Sequence, residues 1–537
     1  MNKQSEISID ILSQLPQPIW HSIISLLPQK DAVRTSVLSK SWRYLWHGRL
    51  NVELRDPGIP YDRIKDLWSF IDKTLQRYLD QNLSLQKFLV DYYSVDFVLL
   101  KKWIPVLIMN MGLRSLSLIF SWNSILFPLP LVVFQSESLV ELHLRLCDLS
   151  TLKSTDNVLL KNLQTLRLHE VDITDDILEK IISSCPMIDN LDLLLCRGLK
   201  SIKLHKHHNI KDFDSSGNDQ IIIDIENTHT LESVRIKNCR NWFLLHKNMH
   251  FPHLKSLDLY RVYLPAYIFD NFSSFFPCLN ELRLDSCRGP KEFRLLSSSI
   301  KRLTITGNRI NAFIDTPNIL YFEYSDDGNG VLPSIIFTTT SNEWKSRISV
   351  SYKLKPSDND ATSWLLKLNK LLKALSQSNI TLIFIANKYK KLHTNDSYGG
   401  VYKLAVVEHL KLRKCFPSSS DPAILNCFFR ICRPRYIHVD LDDYDTHKGM
   451  YYDLRAKCEK VNNLAEFMSK PVPNEIEYCY FWLKDLEEVG IEVRDEETKE
   501  WHCVEGTSLL ALSFRQRVRF RLKWTEQLSK LFRTLSC

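Results

Sequence analysis

The chain has 537 residues, 44% of them apolar and 25% charged, enough for a sizeable core and too apolar for wholesale disorder. Lys plus Arg number 70 against 62 Asp plus Glu, and the net charge of +8 is spread too thinly to argue for nucleic acid. The 81 leucines against 14 glycines exclude collagen-like and Gly-rich low-complexity chains, and neither a GxGxxG nor a GxxxxGK[ST] phosphate loop occurs.

The first ten residues are polar and carry no apolar run of the kind a secretory signal needs, so the 13 cysteines are expected as reduced thiols in the cytoplasm and/or nucleus. Residues 8–50 read as three short helices. Pro16 and Pro18 suit a first helical turn, and Ile19, Ile23, Leu26 and Leu27 follow at helical spacing until Pro28. Ala32, Val33, Val37 and Leu38 are the apolar positions of the second helix. Ser39 caps a third turn with Trp42, Leu45 and Trp46. So small a module with so many large apolar groups buries a face on a partner.

Leu15-Pro16, Leu26-Leu27-Pro28, the run Lys30 to Lys40 and the Trp42-Arg43-Tyr44-Leu45-Trp46 segment resemble the plant F-box almost without a break. Pro18 and Ser41 depart from its commonest pattern, at positions that tolerate the change. The resemblance implies docking on the Skp adaptor of a cullin-based ubiquitin ligase. It sets Leu15, Pro16, Ile19, Ile23, Leu26, Trp42 and Leu45 at the adaptor contacts or their support.

Residues 51–110 are expected as a helical linker and N-terminal cap. From 111 to 330 a nine-position frame recurs, Leu-x-x-Leu-x-Leu-x-x-(Cys/Asn/Val). Its first positions are Leu139, Leu163, Ile188, Leu231, Leu254, Leu279 and Ile300, with Leu113 before them and Ile319 after. The steps are 26, 24, 25, 43, 23, 25, 21 and 19 residues, against a leucine-rich-repeat period of roughly 20–29. The long step is expected to hide one irregular repeat, using Leu199, Ile202 and Leu204 and the strand-like Ile221 to Ile225. Leu-x-Leu alternation predicts a half-buried strand, and segments such as Asp175 to Ile182 predict helical returns. The ninth-position residues Cys147, Cys196, Cys239 and Cys287 are expected to be structural. Ser115 to Ser136 carries no charge, but its polar residues and Pro128 and Pro130 argue for a strand and a connection rather than a membrane span.

Residues 331–484 read as degenerate repeats, with strands near 380–385, 406–412 and 436–441 and helices near 361–377 and 421–432. Residues 485–537 form the expected C-terminal cap. Segments 489–493 and 501–504 can pair around a polar turn. From Phe514 to Trp524 apolar residues alternate with Arg515, Arg517, Arg519, Arg521 and Lys523, which reads as a capping strand with a solvated, edge-protecting basic face.

No HExxH, GxSxG or CxxC pattern is present, and no cofactor, metal or catalytic residue is expected. The candidate binding surface is the outward face of the repeat strands. Its candidate target contacts are His143, Arg145, Arg167, His169, Arg235, Lys237, Tyr260 and Arg283. With the neighbouring outward positions counted, cations outnumber anions there five to three, a hint of an acidic partner.

Both parts together resemble the plant F-box/leucine-rich-repeat family. The fold expected is α/β: an N-terminal three-helix F-box followed by a leucine-rich-repeat solenoid (horseshoe) with a β-rich C-terminal cap. The function implied is a non-catalytic substrate-recognition subunit of an SCF-type ubiquitin ligase. The F-box would hold the Skp adaptor, and through it the cullin and RING subunits, while the repeats hold a target protein. Neither membrane nor nucleic acid is expected as a partner. The alternative is a leucine-rich-repeat scaffold that works outside any ligase.

Overall fold

Where two inward apolar residues flank one outward residue, the backbone takes a short extended run with period two, and such runs pair in parallel when helices or turns carry the chain back. The computed structural model describes residues 50–55, 64–92, 95–121, 126–204, 209–217, 221–225, 228–239, 250–307, 311–326, 331–338, 343–352, 362–385, 404–413, 421–439, 464–468, 481–495, 497–504 and 517–525, with the isolated positions 16, 19, 23, 24, 27, 31, 34, 35, 207 and 461. The chain divides into two compact units, Met1–His253 and Leu254–Cys537.

The first unit is a parallel ladder of eight strands in chain order. They are β1 (Asn51–Arg55), β2 (Lys87–Tyr92), β3 (Ser115–Phe120), β4 (Glu141–Arg145), β5 (Thr165–His169), β6 (Asn190–Leu194), β7 (Asp212–Ser216) and β8 (Ser233–Lys237). Helices α1 (Ile64–Asp80), α2 (Phe97–Asn110) and α3 (Asp175–Ser183) return the chain. The register keeps frame positions aligned. Leu116, Leu142, Leu166, Leu191, Phe213 and Val234 form one buried row, and Leu118, Leu144, Leu168, Leu193, Ser215 and Ile236 form the next. Burying each large side chain is worth about 1.5–3 kcal/mol.

Residues 51–110 are more than a helical linker. Val52 and Leu54 of β1 and Phe88 and Val90 of β2 point inward, and both strands extend the ladder ahead of β3. The 43-residue step also differs from expectation. Its ladder strand is β7, with Ile210 in the first frame position, Phe213 in the fourth and Ser215 in the sixth. Ile202 and Ile223, expected in that role, instead lie in a separate two-stranded parallel sheet, Ser201–Lys203 with Ile222–Asp224. The missing leucines at 213 and 215 concealed the repeat. Of the uncharged segment, Ser115–Phe120 is β3, Phe127–Pro128 pairs with Cys147–Asp148, and Leu131–Gln135 is a single 3-10 turn. Among the described residues no helix is long and apolar enough to cross a membrane.

Seven of the strands leave the ladder by the same device. The eighth frame position is left-handed in seven repeats: Leu146, Glu170, Leu195, Asn238, Arg261, Ser286 and Gly307, with φ from 51° to 65°. The N–H of that residue donates to the seventh-position carbonyl of the next repeat, as from Glu170 to Leu194 and from Arg261 to Asp285. The ninth-position thiols then serve backbone groups, as expected. Cys196 Sγ donates to Leu168 O at 3.1 Å and Cys287 Sγ to Leu259 O at 3.2 Å. Burial pushes these thiols up, to about 12 for Cys196 and about 11 for Cys287, so the proton needed for donation stays in place. Two positions further on, Gly198 has φ +89°, and a Cβ there would stand 2.8 Å from Ile173 O.

The second unit continues the pattern with β9 (Ser256–Tyr260), β10 (Glu281–Asp285), β11 (Arg302–Thr306), β12 (Tyr321–Ser325), β13 (Lys345–Ser351), β14 (Asn379–Ile385), β15 (Ala405–Arg413) and β16 (Cys432–Val439), all parallel. Helices α4 (Thr362–Ala374) and α5 (Asp421–Phe429) are two of its returns. A second, three-stranded parallel sheet joins Glu292–Leu296, Asn311–Asp315 and Ser334–Phe337.

The end of this ladder turns antiparallel. β17 (Leu486–Arg494) pairs with β18 (Trp501–Cys503), as the sequence suggests. β19 (Val518–Trp524), however, is not an edge. It lies between β16 and β17. Val518, Phe520 and Leu522 are buried. Its basic face meets the acidic face of β17: Arg519 with Glu492 at 2.6 Å, Arg521 with Glu488 at 3.1 Å and Lys523 with Glu487 at 3.3 Å. Arg519, Arg521 and Lys523 are thereby paired within the cap, and Arg515 lies outside the described residues.

Candidate functional site

The outward residues of a parallel ladder fall into rows that run across the strands, because register aligns like positions. In the first unit the fifth frame position gives Ser117, His143, Arg167, Asp192, Asp214 and Arg235 on successive strands β3 to β8. The seventh gives Ile119, Arg145, His169, Leu194, Ser216 and Lys237. Six of the expected target contacts therefore share one face. His143, Arg145, Arg167 and His169 are immediate neighbours, and Arg235 and Lys237 stand three strands beyond β5. Tyr260 and Arg283 belong to the second unit, on β9 and β10.

The face is more balanced than its sequence suggested. Arg145 donates to Glu170 through Nε at 3.0 Å, with Nη2 at 2.9 Å from the same carboxylate oxygen. Arg235 donates to Asp214 at 3.0 Å. Arg283 lies 4.0 Å from both Asp258 and Asp285, and Tyr260 packs under Arg261. Among the described residues no carboxylate comes within ion-pair distance of Arg167. Asp214 escaped the sequence reading because β7 lacks the leucine frame.

A hydrogen-bond chain crosses three strands. Asp192 Oδ2 lies 2.9 Å from His169 Nε2, and His169 Nδ1 lies 3.3 Å from His143 Nε2. A carboxylate only accepts, so His169 Nε2–H donates to it. His169 Nδ1 faces His143 Nε2, so with the proton on His143 Nε2 the chain runs from His143 through His169 to Asp192. Burial, helped by His169 and Arg167, pushes His143 down to about 4. Among the described residues no group of His, Cys, Asp or Glu side chains is arranged to hold a metal ion.

Of the expected adaptor contacts, Pro16 and Ile19 are exposed and Ile23 is half-buried. Ile19 N–H donates to Pro16 O at 2.9 Å in the opening turn, and Ile24 is fully buried. Leu15, Leu26, Trp42 and Leu45 lie outside the described residues.

Comparison with known proteins agrees with both parts. The family model for the F-box domain matches residues 12–52. A model described as "FBD-associated F-box protein At5g56370, LRR repeats" matches residues 100–224, a span that begins in α2 and runs beyond β7. Arabidopsis thaliana F-box/LRR-repeat protein At3g59200 is 34% identical over 201 residues, 35% of this chain and 37% of that protein. F-box/LRR-repeat protein 13 of the same plant is 30% identical over 245 residues, 43% and 52% of the two chains. The chain thus spans only about a third to a half of these two relatives. F-box/LRR-repeat protein 25, also from Arabidopsis thaliana, is 30% identical over 208 residues, 37% of this chain and 73% of that protein. With an F-box match leading into a ladder of leucine-framed parallel strands, and with most of one relative covered, the chain belongs to the plant F-box/leucine-rich-repeat protein family.

Proposed function

We propose that the protein is the substrate-recognition subunit of an SCF-type ubiquitin ligase, acting in the cytoplasm and/or nucleus. The F-box folds as three helices and docks on a Skp adaptor through Leu15, Pro16, Ile19, Ile23, Leu26, Trp42 and Leu45. The adaptor links it to the cullin and RING subunits. Each ladder is a stretch of leucine-rich-repeat solenoid, curving as a horseshoe, and the outward rows of the first unit take the target. The observation that carries this reading is the succession of the two parts: the F-box match ends at residue 52 and the first ladder strand begins at Asn51. The protein contributes no catalytic group. Holding a target beside the conjugating enzyme raises the effective concentration of its lysines, and that alone accelerates transfer.

The test is co-purification of full-length protein with a Skp adaptor. Replacing Leu15 and Pro16 by Ala should abolish it while the far-ultraviolet circular dichroism of the strands is unchanged. Retained adaptor binding would remove the docking assignment and favour a ligase-independent scaffold.

A further inference from the structure

Beyond the C-terminal ends of β4, β5 and β6 the exit segments stay side by side. Single parallel bridges join Asp148 to Asp172 and Asp172 to Arg197. Leu149 N–H donates to Asp172 O at 3.1 Å and Ile173 N–H to Arg197 O at 3.0 Å. Against these segments lies a cavity of about 600 Å³, within the size range of ligand sites. Its floor is apolar: Leu152, Ile173 and Ile177 line it, each with its own side chain buried. One wall is the loop that follows β4, and that wall is tied down. Lys180 on α3 donates from Nζ to the carbonyls of Lys153, Ser154 and Asp156, and Lys153 N–H donates to Asp156 Oδ2 at 2.7 Å. The cavity is therefore preformed.

The polar groups of this cavity are loosely engaged. Arg197 Nε stands 3.8 Å from Asp172 Oδ1, too far for a hydrogen bond, and no other carboxylate among the described residues pairs with Arg197. The Arg197 side chain is 60% exposed and that of Asp172 39%, so a donor and an acceptor both remain open to a ligand. Thr174 precedes α3 without its side chain bonding the helix, and it lines the same space. Lys153 and Asp176 complete the charges, which make two of each sign. A lining without net charge gives a bare anion such as phosphate little to gain. It suits a group that carries an acceptor and a donor close together on an apolar body, and the last residue of a protein chain is such a group. We propose that this cavity binds the C-terminus of a partner protein that ends in a large apolar residue. The terminal carboxylate accepts from the Arg197 guanidinium, the N–H of the same residue donates to Asp172, and its side chain covers the apolar floor. This rests on the reading of the first unit as the part that holds the target, and adds to it a site at the strand ends, apart from the outward rows.

The experiment uses the purified full chain and peptides with an N-terminal dye: Gly-Ser-Gly-Ser-Ala-Leu with a free carboxylate, the same peptide C-terminally amidated, and the free acid with serine in place of the last leucine. Anisotropy titrations should give the first peptide about a tenfold lower Kd than either other, the size of one charge-assisted hydrogen-bonded contact or one buried leucine. Arg197→Glu should remove the preference for acid over amide. Ser150→Trp, which fills the cavity without changing charge, should remove the preference for leucine over serine. Both positions are exposed, so the two variants should melt with the parent. Equal binding of acid and amide, or an acid preference unchanged in Arg197→Glu, overturns the proposal. Displacement of the peptide by free leucine at equal concentration would also overturn it, by assigning the site to a free amino acid. Adaptor co-purification of the same protein separates the two levels. No acid preference with adaptor bound discards this site alone, whereas an acid preference without adaptor binding keeps the site and discards the ligase reading.

Discussion

Two buried histidines each contribute to the pH response of this fold. Burial pushes His143 down to about 4, and His169, Arg167 and Arg145 add to the effect against the pull of Asp192. His438 on β16 is pushed to about 3 by burial, with Lys411, His409 and Arg519 adding, and its Nε2 lies 3.1 Å from His409 Nδ1. Both start from an ordinary value of 6.5. Below that value the unfolded chain binds protons that the native chain refuses, so stability is full above pH 6.5 and is lost as pH falls towards 4 and below. The melting temperature should therefore decline across this interval. The double variant His143→Gln/His438→Gln should show a shallower decline in thermal unfolding at matched pH values; an equal slope would refute the assignment. The same residues mark what sequence could show of the site. His143, Arg145, Arg167 and His169 were legible because Leu-x-Leu frames fix which residues face out. Asp214 was not, since Phe213 and Ser215 stand where leucines announce a strand elsewhere.

At the level of the element, the strand is legible and its exit is not. Leucines two apart fix which face is buried, and this held for β3 to β6 and β8 to β11. In β2 the outward position is Leu89, itself buried, so Phe88-Leu89-Val90 shows no alternation and the strand was read as part of a helical linker. The exit turn is hidden for a different reason. Left-handed backbone usually announces itself by Gly or Asn, yet here Leu146, Glu170, Leu195, Arg261 and Ser286 occupy it. The N–H donated to the next repeat holds each of these turns against that strain, and a thiol follows at Leu146, Leu195 and Ser286. This leads to a prediction at the turn of β9. Arg261 is exposed, with φ 52°, so Arg261→Gly should relieve about 1–2 kcal/mol of strain and return about 0.5–1 kcal/mol in backbone entropy. A small net gain in urea unfolding free energy is expected; a loss would show that the stacking of Arg261 on Tyr260 outweighs the turn.

At the scale of the molecule, each ladder has ends that must be finished. In the second unit the finish depends on Arg433. Its buried guanidinium donates from Nη1 to Phe429 O at the end of α5 and from Nη2 to Asp485 at 2.6 Å, and it lies 4.7 Å over the Trp524 ring. Trp524 Nε1 donates to Pro434 O at 2.8 Å, and Trp482 Nε1 to Asn426 at 2.9 Å. One cation thus joins the last helix, the last parallel strand and the antiparallel cap. Arg433→Ala should cost about 3 kcal/mol and expose Trp524 to quenchers; unchanged quenching on that variant would deny Arg433 this role. The cap was legible as alternating strands. Its order was not, because pairing between segments so far apart along the chain is set by the acids of β17 facing the bases of β19, and not by any local pattern.

The insertion of β19 between β16 and β17 has a consequence for biosynthesis. β17 and β18 leave the ribosome as a hairpin with no neighbour to join, and β16 keeps an open edge, until residue 524 has emerged. Chains grow at roughly 5–20 residues per second, and exposed strand edges in that interval invite pairing with other chains. A message that stops before Val518 would release a chain whose parallel strands are complete and whose β16 edge is unguarded, and the cell would meet it as an aggregating species.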